Sequence, residues 1–101
     1  MSKLADTFAW QMRVSEISWE GTEYYFWPGR KFRFDYVLSF EHKLALEIDG
    51  RGHAKWNRYH SDIEKFNEAT IRGWRVIHVT TDMVHDGRGV ALVIDALKRI
   101  S

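Results

Sequence analysis

The chain has 101 residues, the size of one compact domain, and is 45% hydrophobic and 29% charged with a single proline, which excludes disordered and collagen-like classes. A formal net charge of +1 gives no overall pull toward nucleic acid, so any such argument rests on local clustering. The absence of cysteine excludes disulfides, thiolate zinc sites and thiol nucleophiles.

No stretch is apolar enough to span a bilayer and the N-terminus lacks a signal-peptide core, so the expectation is a soluble cytoplasmic protein with no membrane partner. A domain this small buries a modest share of its surface. Its five tryptophans and six phenylalanines fill a dense core or contribute to a dimer seam.

In chain order, Leu4, Phe8 and Met12 recur at helical spacing and predict a first helix over Lys3 to Ile17, with Gly21 as a breaker. Tyr24 to Trp27 reads as a short strand ended by Trp27-Pro28-Gly29. Lys31 to Leu38 alternates, with Phe32, Phe34, Tyr36 and Leu38 on one face and Arg33, Asp35 and Val37 on the other. Leu44 to Asp49 is a third strand whose Ala45, Glu47 and Asp49 share a face. Lys55 to Arg72 is helical, with an apolar stripe of Trp56, Tyr59, Ile63, Phe66 and Thr70 and a stop at Gly73. Trp74 to Thr80 is a fourth strand, and Val90, Ile94, Leu97 and Ile100 stripe a closing helix. The expected class is α/β: one domain over 1–101, a mixed sheet flanked by helices with an αβββαβ core.

The register of the second and third strands carries the chemistry. A two-residue turn at Glu41-His42 would put Tyr36 opposite Glu47 and bring charge into the apolar face. An odd connection centred on Glu41 instead sets Asp35 opposite Glu47, Arg33 opposite Asp49, Val37 opposite Ala45, Phe34 opposite Ile48, Tyr36 opposite Leu46 and Leu38 opposite Leu44. Because a one-residue slip exchanges the faces, burial selects the odd connection, giving an apolar side and an acidic side. Carboxylates so placed repel, and a raised pKa or a bound cation relieves the repulsion. Oxygen ligands suit Mg²⁺ or Mn²⁺, and a water on such an ion becomes a better nucleophile toward a phosphodiester. The spacing alone leaves a second reading open: a surface pair balanced by Arg33 or a lysine.

The segments Arg30-Lys31-Phe32-Arg33-Phe34-Asp35 and Leu46-Glu47-Ile48-Asp49-Gly50, followed by Asp62 to Asn67 and Gly73 to Val76, together resemble the PD-(D/E)XK nuclease superfamily. The nearest likeness is to small phage and bacterial Holliday junction resolvases and to very-short-patch-repair endonucleases. The resemblance implies a restriction-endonuclease-like fold and a Mg²⁺- or Mn²⁺-dependent endodeoxyribonuclease. It assigns Asp35 and Glu47 as metal ligands, with the Ile48 carbonyl as a third. Asp49 stands where the superfamily has its lysine, as an extra ligand or a partner of Arg33. Lys65, on a helical stripe with Arg58, Asp62 and Arg72, is the candidate replacement; an ordinary pair with Asp62 is the other reading. His53 matches a histidine that short-patch-repair relatives use, either as a phosphate contact or general acid-base, or else is a solvated loop residue.

Arg51, Lys55 and Arg58, with Arg30, Lys31 and Arg33, form two basic clusters that flank the acidic pair in this fold and suit a DNA backbone; a solvated face is the alternative. No sequence-reading module is visible, which favours recognition of branched or junction DNA by a homodimer with two-fold symmetry. A nicking or mismatch-repair enzyme and a catalytically degenerate DNA-binding module are the competing functions.

Overall fold

The computed structural model describes residues 3–49 and 56–100, with side chains from His60 onward in the second stretch. The elements are α1 (Lys3–Val14), β1 (Gly21–Trp27), β2 (Phe32–Ser39), β3 (Leu44–Asp49), α2 (Trp56–Ile71), β4 (Arg75–Thr80), α3 (Thr81–His85) and α4 (Arg88–Ile100). Among the described residues no helix is long and apolar enough to cross a membrane.

The sheet runs β1-β2-β3-β4, antiparallel over its first three strands and parallel between β3 and β4. The parallel step requires a crossover, which α2 supplies. The α/β class, with helices on both faces of a mixed sheet, is therefore the one expected.

Helix α1 ends at Val14, short of the predicted Ile17, because Glu16 turns left-handed (φ 61°) while the Ile17 N–H reaches the Met12 carbonyl at 2.9 Å. Ile17 is thereby released to enter the core. At the end of α2, Gly73 takes φ 86°; its N–H bonds the Thr70 carbonyl at 3.0 Å, and the Trp74 N–H bonds that of Ala69 at 2.9 Å. This is the glycine stop that the sequence predicts. Gly21 is a correction, since it opens β1 opposite Val37 instead of breaking the chain before it. The short α3 was not anticipated, although its Thr80 cap, which accepts from the Met83 N–H at 3.3 Å, is an ordinary helix-start residue.

Two apolar layers sandwich the sheet. On one face Phe8, Met12, Tyr36, Leu38, Leu46, Val79, Val84 and Val93 pack beneath α1, α3 and α4. On the other, Phe26, Phe32, Phe34, Val37, Ala45 and Trp74 pack against Ala69 of α2. The expected split into one apolar and one acidic side is thus corrected, because a central strand covered on both faces is apolar on both.

The alternation of β2 also breaks. Phe32 and Phe34 lie in the α2 layer, whereas Tyr36 and Leu38 lie in the opposite one. The break falls at Asp35, beside Glu23 of β1, which holds φ 47° between the flanking pairs Thr22–Tyr36 and Tyr24–Phe34. Phe34 consequently stacks on Phe26 at 4.2 Å and lies 5.0 Å from Trp74, in the layer opposite the one it was expected to share with Ile48.

The β2–β3 register is the predicted one at Tyr36–Leu46 and Val37–Ala45. It slips by one residue after Val37, so Leu44 pairs with Ser39 and not with Leu38. Helix α2 is rotated relative to expectation: Ala69 is buried, while Ile63 is 42% exposed and Thr70 is exposed. Rotation of the predicted stripe toward Phe66 and Ala69 brings Lys65 and Asp62 over the sheet.

Candidate active site

The break at Asp35 aims its carboxylate along the sheet toward β3. Asp35 Oδ2 accepts the Ile48 N–H at 2.8 Å, and Glu47 Oε2 accepts the Asp35 N–H at 3.0 Å. Each carboxylate therefore takes a backbone donor from the other's strand, which locks the two acids side by side. From α2, Lys65 Nζ donates to Glu47 Oε1. The Lys65 and Glu47 side chains are only 15% and 12% exposed.

Burial pushes Glu47 up from 4.5 to about 7; the Asp35 charge adds to the rise, and the Lys65 ammonium opposes it. One ammonium does not fully compensate the second carboxylate and the loss of water.

These groups line a cavity of about 650 Å³ that also takes Tyr36, Asp62 and His78. Its described walls carry five carboxylates (Glu23, Asp35, Glu47, Asp49, Asp62) against two cations (Arg33, Lys65). An anionic substrate meets repulsion there until further positive charge is present. Among the described residues no three His, Asp or Glu side chains form a metal cluster. The Asp35–Glu47 pair fits a hard divalent ion as two oxygen donors, with main-chain oxygen or water completing the set.

Of the remaining sequence candidates, Asp49 is exposed at the cavity wall. Arg33 ion-pairs with Glu23 at 3.3 Å. Arg30 pairs with Glu64 of α2 at 2.7 Å and lies 4.6 Å over the Phe32 ring, and Lys31 is exposed. Arg51, His53 and Lys55 and the side chain of Arg58 lie outside the described residues.

Sequence reasoning treated His78 as an ordinary strand position, yet it lines this cavity. Its ring meets Phe66 edge-on at 4.3 Å, and burial followed by the nearby Lys65 charge lowers its pKa. No spacing in the sequence marks it; the packing of Val76 in the α2 layer sets the face on which His78 stands.

The chain matches no known protein-family profile and no curated protein sequence. Its fold is similar to a solved structure described as the homing endonuclease I-Bth0305I catalytic domain, with TM-score 0.74 and 21% identity over 100% of both chains. At that identity the likeness defines the fold alone, a mixed α/β sheet flanked by helices.

Proposed function

We propose that this protein is a DNA endonuclease that uses Mg²⁺ or Mn²⁺ held by Asp35, Glu47 and the carbonyl of Ile48. The observation that carries the reading is the pair of reciprocally hydrogen-bonded carboxylates on β2 and β3, with Lys65 on Glu47. A bound divalent ion supplies positive charge for the phosphoryl oxygens and acidifies water. Asp35 and Glu47 would supply oxygen donors to that ion. Lys65 takes the role of the water-orienting lysine, which the resemblance leaves vacant at Asp49. Phe34 and Phe66 beside Lys65, with ring centroids 6.0 Å and 5.3 Å from its Nζ, restrict water on that side and strengthen the local electrostatics. Arg30, Lys31 and Arg33 contact the phosphates, and Arg51, Lys55, Arg58 and His53, whose side chains lie outside the described residues, are assigned the same task from the sequence. Arg30 and Arg33 exchange exposed carboxylate partners for phosphate at little cost, since such pairs contribute only about 0–1 kcal/mol.

The substrate class is branched DNA of the Holliday junction type, cut by a homodimer. This rests on exposed Trp10, Val14 and Tyr25, which provide apolar surface on α1 and β1 for a seam that would present two sites to the two symmetric strands of a junction. A second reading is favoured by the full overlap with a domain named as the catalytic part of a homing endonuclease: a cutter of linear duplex whose site is selected by another polypeptide segment. Labelled four-way junctions, nicked and mismatched duplexes and linear duplex, incubated with Mg²⁺, Mn²⁺ or chelator, test both. Metal-dependent cutting of junctions supports the first reading, and preferential cutting of linear duplex supports the second. Cutting undiminished by chelator refutes the metal mechanism; no cutting with either ion refutes the assignment as an endonuclease.

A further inference from the structure

Three neighbouring strands bring Asp35 of β2, Glu47 of β3 and His78 of β4 to the wall of one cavity. Glu47 and His78 are direct partners in the parallel β3–β4 register, so their backbones stand about 5 Å apart, the ordinary strand spacing. The position is not a core position. Ile77 and Val79 pack into the layer beneath α1, α3 and α4, Val76 packs under α2, and His78 follows on the α2 side. A residue there with a purely structural task would continue the apolar face, as Val76 does. His78 is instead exposed toward the cavity, with one side of its ring fixed against Phe66 at 4.3 Å.

The other nitrogen donors on the described cavity wall are already engaged. Lys65 donates to Glu47, and Arg33 is paired with Glu23. Among the described residues the His78 imidazole makes no hydrogen bond. In either charge state imidazole retains at least one N–H donor. A phosphodiester approaching a wall of five carboxylates needs donors that carry no negative charge, and this one is oriented before the substrate arrives.

Building on the endonuclease reading, we infer that His78 is a substrate-contacting residue, its ring N–H donating to a phosphate oxygen of the nucleic acid on the β4 side of the carboxylate pair. On that reading Asp35 and Glu47 of β2 and β3 would hold the ion, so the His78 contact would govern substrate and not metal.

The test compares wild type with His78→Leu, which keeps an apolar strand residue against Phe66, and His78→Gln, which restores an N–H donor. Binding of four-way junction and linear duplex is measured in Ca²⁺, cleavage in Mg²⁺, and Mn²⁺ affinity by calorimetry. The expected result is at least a fivefold loss of DNA affinity and a tenfold loss of kcat/KM in His78→Leu. Mn²⁺ affinity should stay within twofold, and His78→Gln should recover most of the loss. Binding by His78→Leu within twofold of wild type overturns the inference whether or not wild type cuts. An equal loss in His78→Gln overturns the donor role, and a large fall in Mn²⁺ affinity overturns the separation from the metal. Wild type that binds neither DNA overturns this inference and the nuclease reading together. Wild type that cuts, with an unaltered His78→Leu, overturns this inference alone.

Discussion

Replacing Glu47 by Gln should stabilise the metal-free protein at alkaline pH while destroying its metal site. Burial holds Glu47 at about 7 instead of 4.5, a rise of 7 − 4.5 = 2.5 units. At 1.36 kcal/mol per unit, ionised Glu47 costs the folded state about 3 kcal/mol. The sign follows from the raised folded value: the protonated acid supports folding below pH 4.5, and that support disappears as pH climbs through about 7. Glutamine keeps the acceptor for the Asp35 N–H and never ionises. The attraction of Lys65 for the ionised carboxylate is already contained in the value of about 7, so what remains is a pH-independent difference between glutamine and the protonated acid. Urea unfolding in chelator at pH 5 and pH 8 therefore yields a stability difference between the two proteins that moves by about 3 kcal/mol toward the variant at pH 8. That is a large share of the roughly 5–15 kcal/mol total of a small domain. Mg²⁺ should rescue wild type at pH 8 and leave the variant unchanged. Parallel pH dependences would refute the buried-carboxylate reasoning.

Lys65→Met removes the charge that holds Glu47 down, so the acidic limb of the pH–rate profile should move to higher pH and kcat should fall; an unshifted limb contradicts the contact. Glu64→Gln frees Arg30, and DNA affinity read by fluorescence anisotropy should rise about two- to fivefold with a steeper salt dependence. Gly89→Ala would bring a methyl to 2.7 Å from Val79 Cγ1 and 2.8 Å from Phe8 Cε1. It should cost about 1–3 kcal/mol by calorimetric melting while leaving low-temperature cleavage intact.

The hairpin register was legible because burial punishes a one-residue slip, and Tyr36–Leu46 and Val37–Ala45 pair as that logic requires. The adjacency of Asp35 and Glu47 follows from it. The faces of β2 were not legible, since period-2 reasoning assumes one wet side, whereas Phe34 is recruited by Phe26 and Trp74 into a second layer under α2. That recruitment flips the strand at Asp35. The orientation of α2 escaped for a related reason. Counting Ile63 and Thr70 as core followed hydrophobic periodicity, but the small Ala69 lets the helix approach the sheet and carries Lys65 with it. His78 was overlooked because a strand histidine has no spacing signature, and its meaning depends on what packs beside it.

Titration of the chelator-treated protein with Mn²⁺ by calorimetry, alongside Asp35→Asn and Glu47→Gln at pH 8, bears most directly on the shared carboxylate site. Wild type should bind the ion, and each substitution should abolish or weaken binding by at least about tenfold, the loss expected when one of two anionic ligands is removed. Equal affinity in all three proteins would contradict the assignment of these two side chains to one ion.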